Sequence, residues 1–175
     1  MPSDPGLDLA ASYEVFDRAG GDYYDVFRFP SSDPASRRYA LFVADASGHG
    51  PSAAVVVAMV SALLQTYPCT PAGPGEVLDY LNQALLARPI RYSFVTAFLG
   101  IVDLQQRYLQ YACAGHPMPM LRDNEGAVSS LRNLKGLPLG ILPEASYDET
   151  AISVRSGQVL MLFTDGVSEA MAPDR

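Results

Sequence analysis

Three aspartates stand where an acid is costly. Residues 39 to 44 read as a buried strand that runs straight into Asp45, then into small residues and a histidine, in "LFVADASGHG" (41–50). Val159 to Thr164 runs in the same way into Asp165 and Gly166, and Gly20-Gly21 leads into Asp22. A charge at the end of a core strand is expensive to desolvate unless something compensates it. Glycine, alanine or serine flanks each acid, so backbone oxygens lie open to approach as well. Carboxylate, carbonyl and water oxygens are the ligands that hard divalent ions such as Mg2+ and Mn2+ take. Each aspartate alone is an ordinary turn residue, and it is the repeated pattern that points to metal chemistry.

Other chemistries lack their signatures. There is no His/Cys set with zinc spacing, no G-x-S-x-G elbow, and no Walker loop or G-x-G-x-x-G. His49 and His116 each follow a glycine and sit in turns. Asp25 and Glu169 read as surface acids, Ser93 and Thr96 as residues of a core strand, and Gly20 and Gly21 as turn formers.

The elements that must aim these acids follow from periodicity and punctuation. Residues 7–16 and 22–29 read as strands around the Gly20-Gly21 turn, with 39–44 a third strand of an antiparallel meander. Pro51 suits a first helical turn and opens a helix to about Gln65, apolar nearly all round, with the stripe from Val55 to Val60 as core. After "CTPAGPG", residues 76–88 give a second helix with Val77, Leu78, Leu81, Ala84 and Leu85 on one face. Strands follow at 94–104, 107–115 and 117–122, with Asn124-Glu125-Gly126 as a hairpin turn. A last strand pair, 147–155 and 158–164, meets at Ser156-Gly157. Strands, two helices and more strands predict an α+β fold of antiparallel sheets with helices outside.

The chain has 175 residues, 49% of them hydrophobic, which suits one core-forming domain. Its net charge is −7, with 12 Lys and Arg scattered along the sequence, which argues against a nucleic-acid partner. No apolar run reaches the length of a membrane span, and the N-terminus has no signal-peptide pattern. Cys69 and Cys113 read as reduced residues of a cytoplasmic protein.

"AGGDYYDVF", "VADASGHGPSAA", "SFVTAFLGIVD", "AGHPMPML", "GLPLGI" and "LFTDGVSEA" occur in this order along the chain. In order and spacing they resemble the metal-dependent protein phosphatase (PPM, protein phosphatase 2C-like) family, and within it the bacterial SpoIIE/RsbU-like serine phosphatases. The resemblance runs from about Leu7 to Ala170. It implies an α-β-β-α sandwich of two antiparallel sheets flanked by helices, with a two-metal site for Mn2+ or Mg2+. By motif, Asp22 matches a ligand of one metal, Asp45 the bridging ligand, the Ala46 carbonyl a further ligand and Asp165 a ligand of the other metal. It implies hydrolysis of phosphoserine or phosphothreonine by direct attack of a metal-bound water, with Asp22, Asp45 and Asp165 as the catalytic set.

The implied substrate is a phosphorylated regulatory protein of the STAS-domain, anti-sigma-antagonist type, with room for a homodimer. The alternative is a catalytically weak or inactive module of the same fold that binds a regulatory partner. Two departures stand out. Ser47 occupies the place where eukaryotic relatives have a histidine, which leaves the general acid unassigned. The chain also stops at Arg175, before the family's last metal aspartate. The expectation is a phosphatase domain over 1–175, cut from a larger regulator and short at its C-terminus, with a weakened second metal position.

Overall fold

The computed structural model describes residues 2–14, 20–68, 70–88 and 93–169. Along them run β1 (Asp22–Arg28), β2 (Arg38–Ala46), α1 (Pro51–Gln65), α2 (Pro74–Ala87), β3 (Val95–Asp103) and β4 (Tyr108–Ala114). The short elements β5 (Met120–Arg122), β6 (Val128–Ser130), β7 (Glu149–Ser153), β8 (Val159–Met161) and α3 (Asp165–Ser168) follow. Two antiparallel sheets form, in the orders β1-β2-β3-β4-β7 and β6-β5-β8.

The central strands are apolar on both faces because both faces are covered. One face of the larger sheet, with Phe42, Leu99 and Ile101, packs against Val56, Val60 and Leu64 of α1 and Leu78, Leu81 and Leu85 of α2. The opposite face, with Leu41, Phe98, Leu109 and Tyr111, meets Leu121, Leu160 and Leu162 from the smaller sheet and its continuation. Full burial of a leucine such as Leu78 or Leu81 contributes about 1.5–3 kcal/mol. The layers are thus helices, large sheet, small sheet. The outer face of the small sheet leaves Val128, Val159 and Met161 exposed.

The helix entries are set by backbone. Gly48 and Gly50 hold φ of 93° and 76°, a region glycine enters freely, and they turn the chain from β2 into Pro51 at the start of α1. α2 has no side-chain cap of its own. Instead Glu149 of β7 accepts the Gly75 N–H at 2.7 Å. A Cβ on Gly73 would stand 2.5 Å from both Glu149 carboxylate oxygens, so only glycine allows this approach.

Three local expectations are corrected. Residues 8–14 form no strand, and 15 and 16 lie outside the described residues. That segment is tied down as an irregular run instead. Asp4 pairs with Arg37 and accepts the Tyr39 hydroxyl at 2.7 Å, and Leu9 packs into the inter-sheet core. The strands at 149–153 and 159–161 do not pair with each other: β7 joins β4 and β8 joins β5, so that Ile152 and Leu160 enter the inter-sheet core from opposite sheets. Val55, expected in the core, is 57% exposed, because only Ala53, Val56, Val60 and Leu64 of α1 face the sheet fully. Cys113 is buried and unbridged, and Cys69 lies outside the described residues. Among the described residues no helix is long and apolar enough to cross a membrane.

Candidate metal centre

Strand alternation places the acids on one side. Tyr23 and Phe27 of β1, and Ala44 and Ala46 of β2, pack on the helix side, so Asp22 and Asp45 point to the inter-sheet side. The two are cross-strand partners. The Ala46 N–H donates to the Gly21 carbonyl at 2.9 Å. That makes Gly21–Ala46 a hydrogen-bonded pair and Asp22–Asp45 the adjoining non-hydrogen-bonded pair, in which side chains stand closest. Like charges in that position repel.

Asp165 comes to the same place from the other sheet, as the first residue of α3 behind Thr164. The Thr164 hydroxyl donates to the Asp22 carboxylate at 3.2 Å. Burial, then the charges of Asp165 and Asp22, push the Asp45 carboxyl up to about 6. Asp22 is also raised, first by burial and further by Asp165, against the lowering effect of the Thr164 hydroxyl. Three carboxylates therefore share one electrostatic neighbourhood with no cation answering them among these interactions.

The sequence-predicted residues thus come together: Asp22 and Asp45 side by side, with Asp165 facing them from an exposed turn. A Cβ on Gly21 would meet the Ala46 carbonyl oxygen at 2.6 Å and Asp45 Oδ1 at 3.2 Å. Only glycine lets the backbone pass this close to both oxygens, with the Ala53 methyl 3.3 Å from the same point. The donor set is wholly oxygen, which suits Mg2+ or Mn2+ and not zinc. Among the described residues no three His, Cys, Asp or Glu side chains close into a ready-made cage. Mg2+ tolerates this, since it keeps several waters when bound. The residues present fit such an ion.

Two neighbours are structural. The Ser47 hydroxyl accepts the Phe94 N–H and its own N–H donates to the Phe94 carbonyl, both at 2.9 Å, which pins the turn after Asp45 to the start of β3. Asp25 points to the helix side and accepts the Tyr23 hydroxyl at 3.1 Å, away from Asp22 and Asp45. His49 and Glu169 are exposed.

A support that sequence reasoning did not connect joins Thr96, His116 and Phe163. Thr96 is the β3 partner of Asp45. Its hydroxyl lies 2.9 Å from His116 Nδ1, while His116 Nε2 lies 3.1 Å from the Phe163 carbonyl oxygen. A carbonyl only accepts, so Nε2 carries the hydrogen and Nδ1 accepts from Thr96. Burial brings the imidazole down to about 4, which keeps it neutral. The buried ring holds the segment entering Thr164-Asp165 against the strand beside Asp45. The glycine before His116 gave no hint of this long-range role.

The family described as "Stage II sporulation protein E (SpoIIE)" matches residues 35–175. The chain belongs to the SpoIIE family. The phosphoserine phosphatase RsbU of Bacillus subtilis (strain 168) is 28% identical over 169 residues, covering 97% of this chain and 49% of RsbU. The phosphoserine phosphatase RsbP of the same organism is 24% identical over 171 residues, covering 95% of this chain and 41% of RsbP. The chain thus spans about half the length of the curated relatives it matches.

The crystal structure of the RsbU and RsbW domains of Rv1364c from Mycobacterium tuberculosis superposes with a TM-score of 0.73 at 24% identity, over 86% of this chain and 40% of that one. The PP2C phosphatase domain of SpoIIE from Bacillus subtilis, with a fragment of its regulatory domain, gives 0.70 at 23% identity, over 85% and 42%. RsbX in complex with magnesium gives 0.66 at 20% identity, over 91% and 71%. The SpoIIE-family fold is accordingly that of PP2C-type phosphatase domains.

Proposed function

We propose that this SpoIIE-family chain is a metal-dependent serine/threonine protein phosphatase domain. Its substrate in this reading is phosphoserine or phosphothreonine on a cytoplasmic regulatory protein of STAS-domain type. One observation carries the proposal: Asp22 and Asp45 occupy directly opposed, partly buried strand positions, with Asp165 adding to the repulsion. Such an arrangement is unfavourable until divalent cations neutralise it. The names of RsbU and RsbP support the activity, and the magnesium complex of RsbX supports the metal class.

Asp22, Asp45, Asp165 and the Ala46 carbonyl are the groups that would hold Mg2+ or Mn2+. Bound there, such ions supply Lewis acidity toward a phosphoryl group and lower the pKa of water. The chain itself supplies position. The paired strands fix Asp22 against Asp45, Thr164 orients the Asp22 carboxylate, and the Thr96–His116–Phe163 relay fixes the approach of Asp165. The Ser47 hydroxyl accepts the Phe94 N–H, which fixes its oxygen against the start of β3.

The test is phosphate release from a phosphorylated STAS-domain protein with Mn2+ and with a chelator. Release that needs Mn2+ supports the reading, and a folded chain that releases none at millimolar Mn2+ overturns it. The exposure of Asp165 and the unclosed cage favour one rival, a binding module of the same fold without turnover. That rival predicts metal-independent binding of the phosphoprotein and no release.

A further inference from the structure

Beside Asp22 lies a pair of tyrosines that the proposed chemistry does not use. Tyr24 stands two residues along β1 on the same side of the strand, about 7 Å away. Tyr13 packs its ring against Tyr24, with centroids 6.3 Å apart and planes at 52°, and donates its hydroxyl to the Asp22 carbonyl at 3.2 Å. Both rings stay open, Tyr13 at 45% exposure and Tyr24 at 40%. Single exposed apolar side chains are commonplace. Two touching rings tied by a hydrogen bond to a candidate metal ligand are a built feature beside the carboxylates.

The described charges next to them in the chain are acidic. Glu14 follows Tyr13 and is exposed, Tyr13 is bonded to the Asp22 backbone, and the chain carries a net −7. Aromatic faces present negative charge and attract Lys or Arg placed over them. Tyr is also among the side chains that dominate protein–protein contacts. We infer that Tyr13 and Tyr24 form a docking step for an arginine or lysine side chain of the protein substrate, about two residues from its phosphorylated position. This rests on the phosphatase reading for the identity of the occupant. The pair sets substrate preference: basic residues beside the phosphoserine are favoured and acidic ones are repelled by Glu14 and the carboxylate cluster.

The experiment uses the whole chain and three fluorescein-labelled phosphoserine peptides, alike except for Arg, Ala or Asp two residues from the phosphoserine. Binding is read by anisotropy at about 0.15 M salt, with and without Mn2+. The Arg peptide is expected to bind about three- to tenfold tighter than the Ala peptide, and the Asp peptide weakest. Tyr24→Leu removes the aromatic face and should bring the Arg and Ala peptides within about twofold of each other, whereas Tyr24→Phe keeps the preference. Mn2+-dependent hydrolysis of p-nitrophenyl phosphate, too small to reach the rings, should be unchanged in both variants.

Equal affinities for the Arg and Ala peptides on the parent chain overturn the inference. So does an undiminished Arg preference in a folded Tyr24→Leu chain. If Tyr24→Leu does not fold, the ranking of the three peptides on the parent and on Tyr24→Phe decides. A parent that prefers the Arg peptide but never hydrolyses p-nitrophenyl phosphate sinks the phosphatase reading and leaves the docking step standing. The two failures are therefore separable.

Discussion

Thr164 donates its hydroxyl to the Asp22 carboxylate across 142 residues of chain, at 3.2 Å. This contact ties the exposed turn carrying Asp165 to the first strand of the large sheet. It also determines which oxygen of Asp22 is already engaged, and so which is free for a cation. The cluster is therefore assembled from both sheets at once.

Replacing Thr164 with valine keeps the shape and deletes the donor. A hydrogen bond to a charged group contributes about 1.5–3 kcal/mol, so Mn2+ affinity by isothermal titration should fall at least about tenfold. Thr164→Ser should recover most of it. Equal affinities in all three chains would show that the contact orients nothing.

Asp45→Asn removes the charge that its neighbours most oppose. Mn2+-dependent phosphate release should drop below detection, and the rise in melting temperature on adding Mn2+ should vanish. In the absence of metal the same variant should melt about 2–4 °C higher than the parent at pH 7, for roughly 1 kcal/mol of relieved repulsion. A metal-free variant that melts lower than the parent would contradict the repulsive account.

Gly21→Ala tests the space beside Asp45. The new methyl would lie 2.6 Å from the Ala46 carbonyl oxygen, a backbone atom that cannot swing away. A cost of about 1–3 kcal/mol is expected, together with loss of the metal-induced stabilisation. A variant with parental melting and parental response to Mn2+ would mean that neither oxygen is needed there.

The pH dependence of metal-free stability has two opposing parts. His116, lowered from 6.5 to about 4, leaves the unfolded chain holding more protons in that interval, so its contribution rises with pH from about 4 to 6.5. Asp45, raised from 3.8 to about 6, does the reverse, and Asp22, also raised, adds to it: the folded chain holds more protons and their contribution falls as pH rises. The parent should therefore show a shallow profile between pH 4 and 6, while Asp45→Asn should show a clear rise. Denaturant midpoints across that range decide it, and a flat profile for Asp45→Asn would remove His116 from the account.

Much of this arrangement was legible in residue order. Proline and glycine bracket α1 and α2, continuous apolar runs mark β2 and β3, and the end of an apolar run marks Asp45 and Asp165. What escaped were features set by distant contact. Residues 8–14 alternate like a strand, yet only Leu9 among them packs into the core, and the segment is held by its Tyr13 side chain and by Asp4 just before it. The division of β7 and β8 between two sheets cannot be read from a Ser-Gly turn, because it depends on which face each neighbour leaves uncovered. Thr96 and His116 were each recognisable as structural, but their joint grip on Phe163 has no local signature.

The unusual start of α2 has a kinetic consequence. Its first turn has no local cap, and the carboxylate that satisfies Gly75 arrives on Glu149, 74 residues later. Closing so long a loop carries an entropic cost that the nascent helix cannot recover alone. The N-terminal turn of α2 therefore settles only when the edge strand β7 docks, late in folding, and the two should exchange their amide hydrogens as one cooperative unit. A chain interrupted between them would keep most of its helix yet leave that turn frayed.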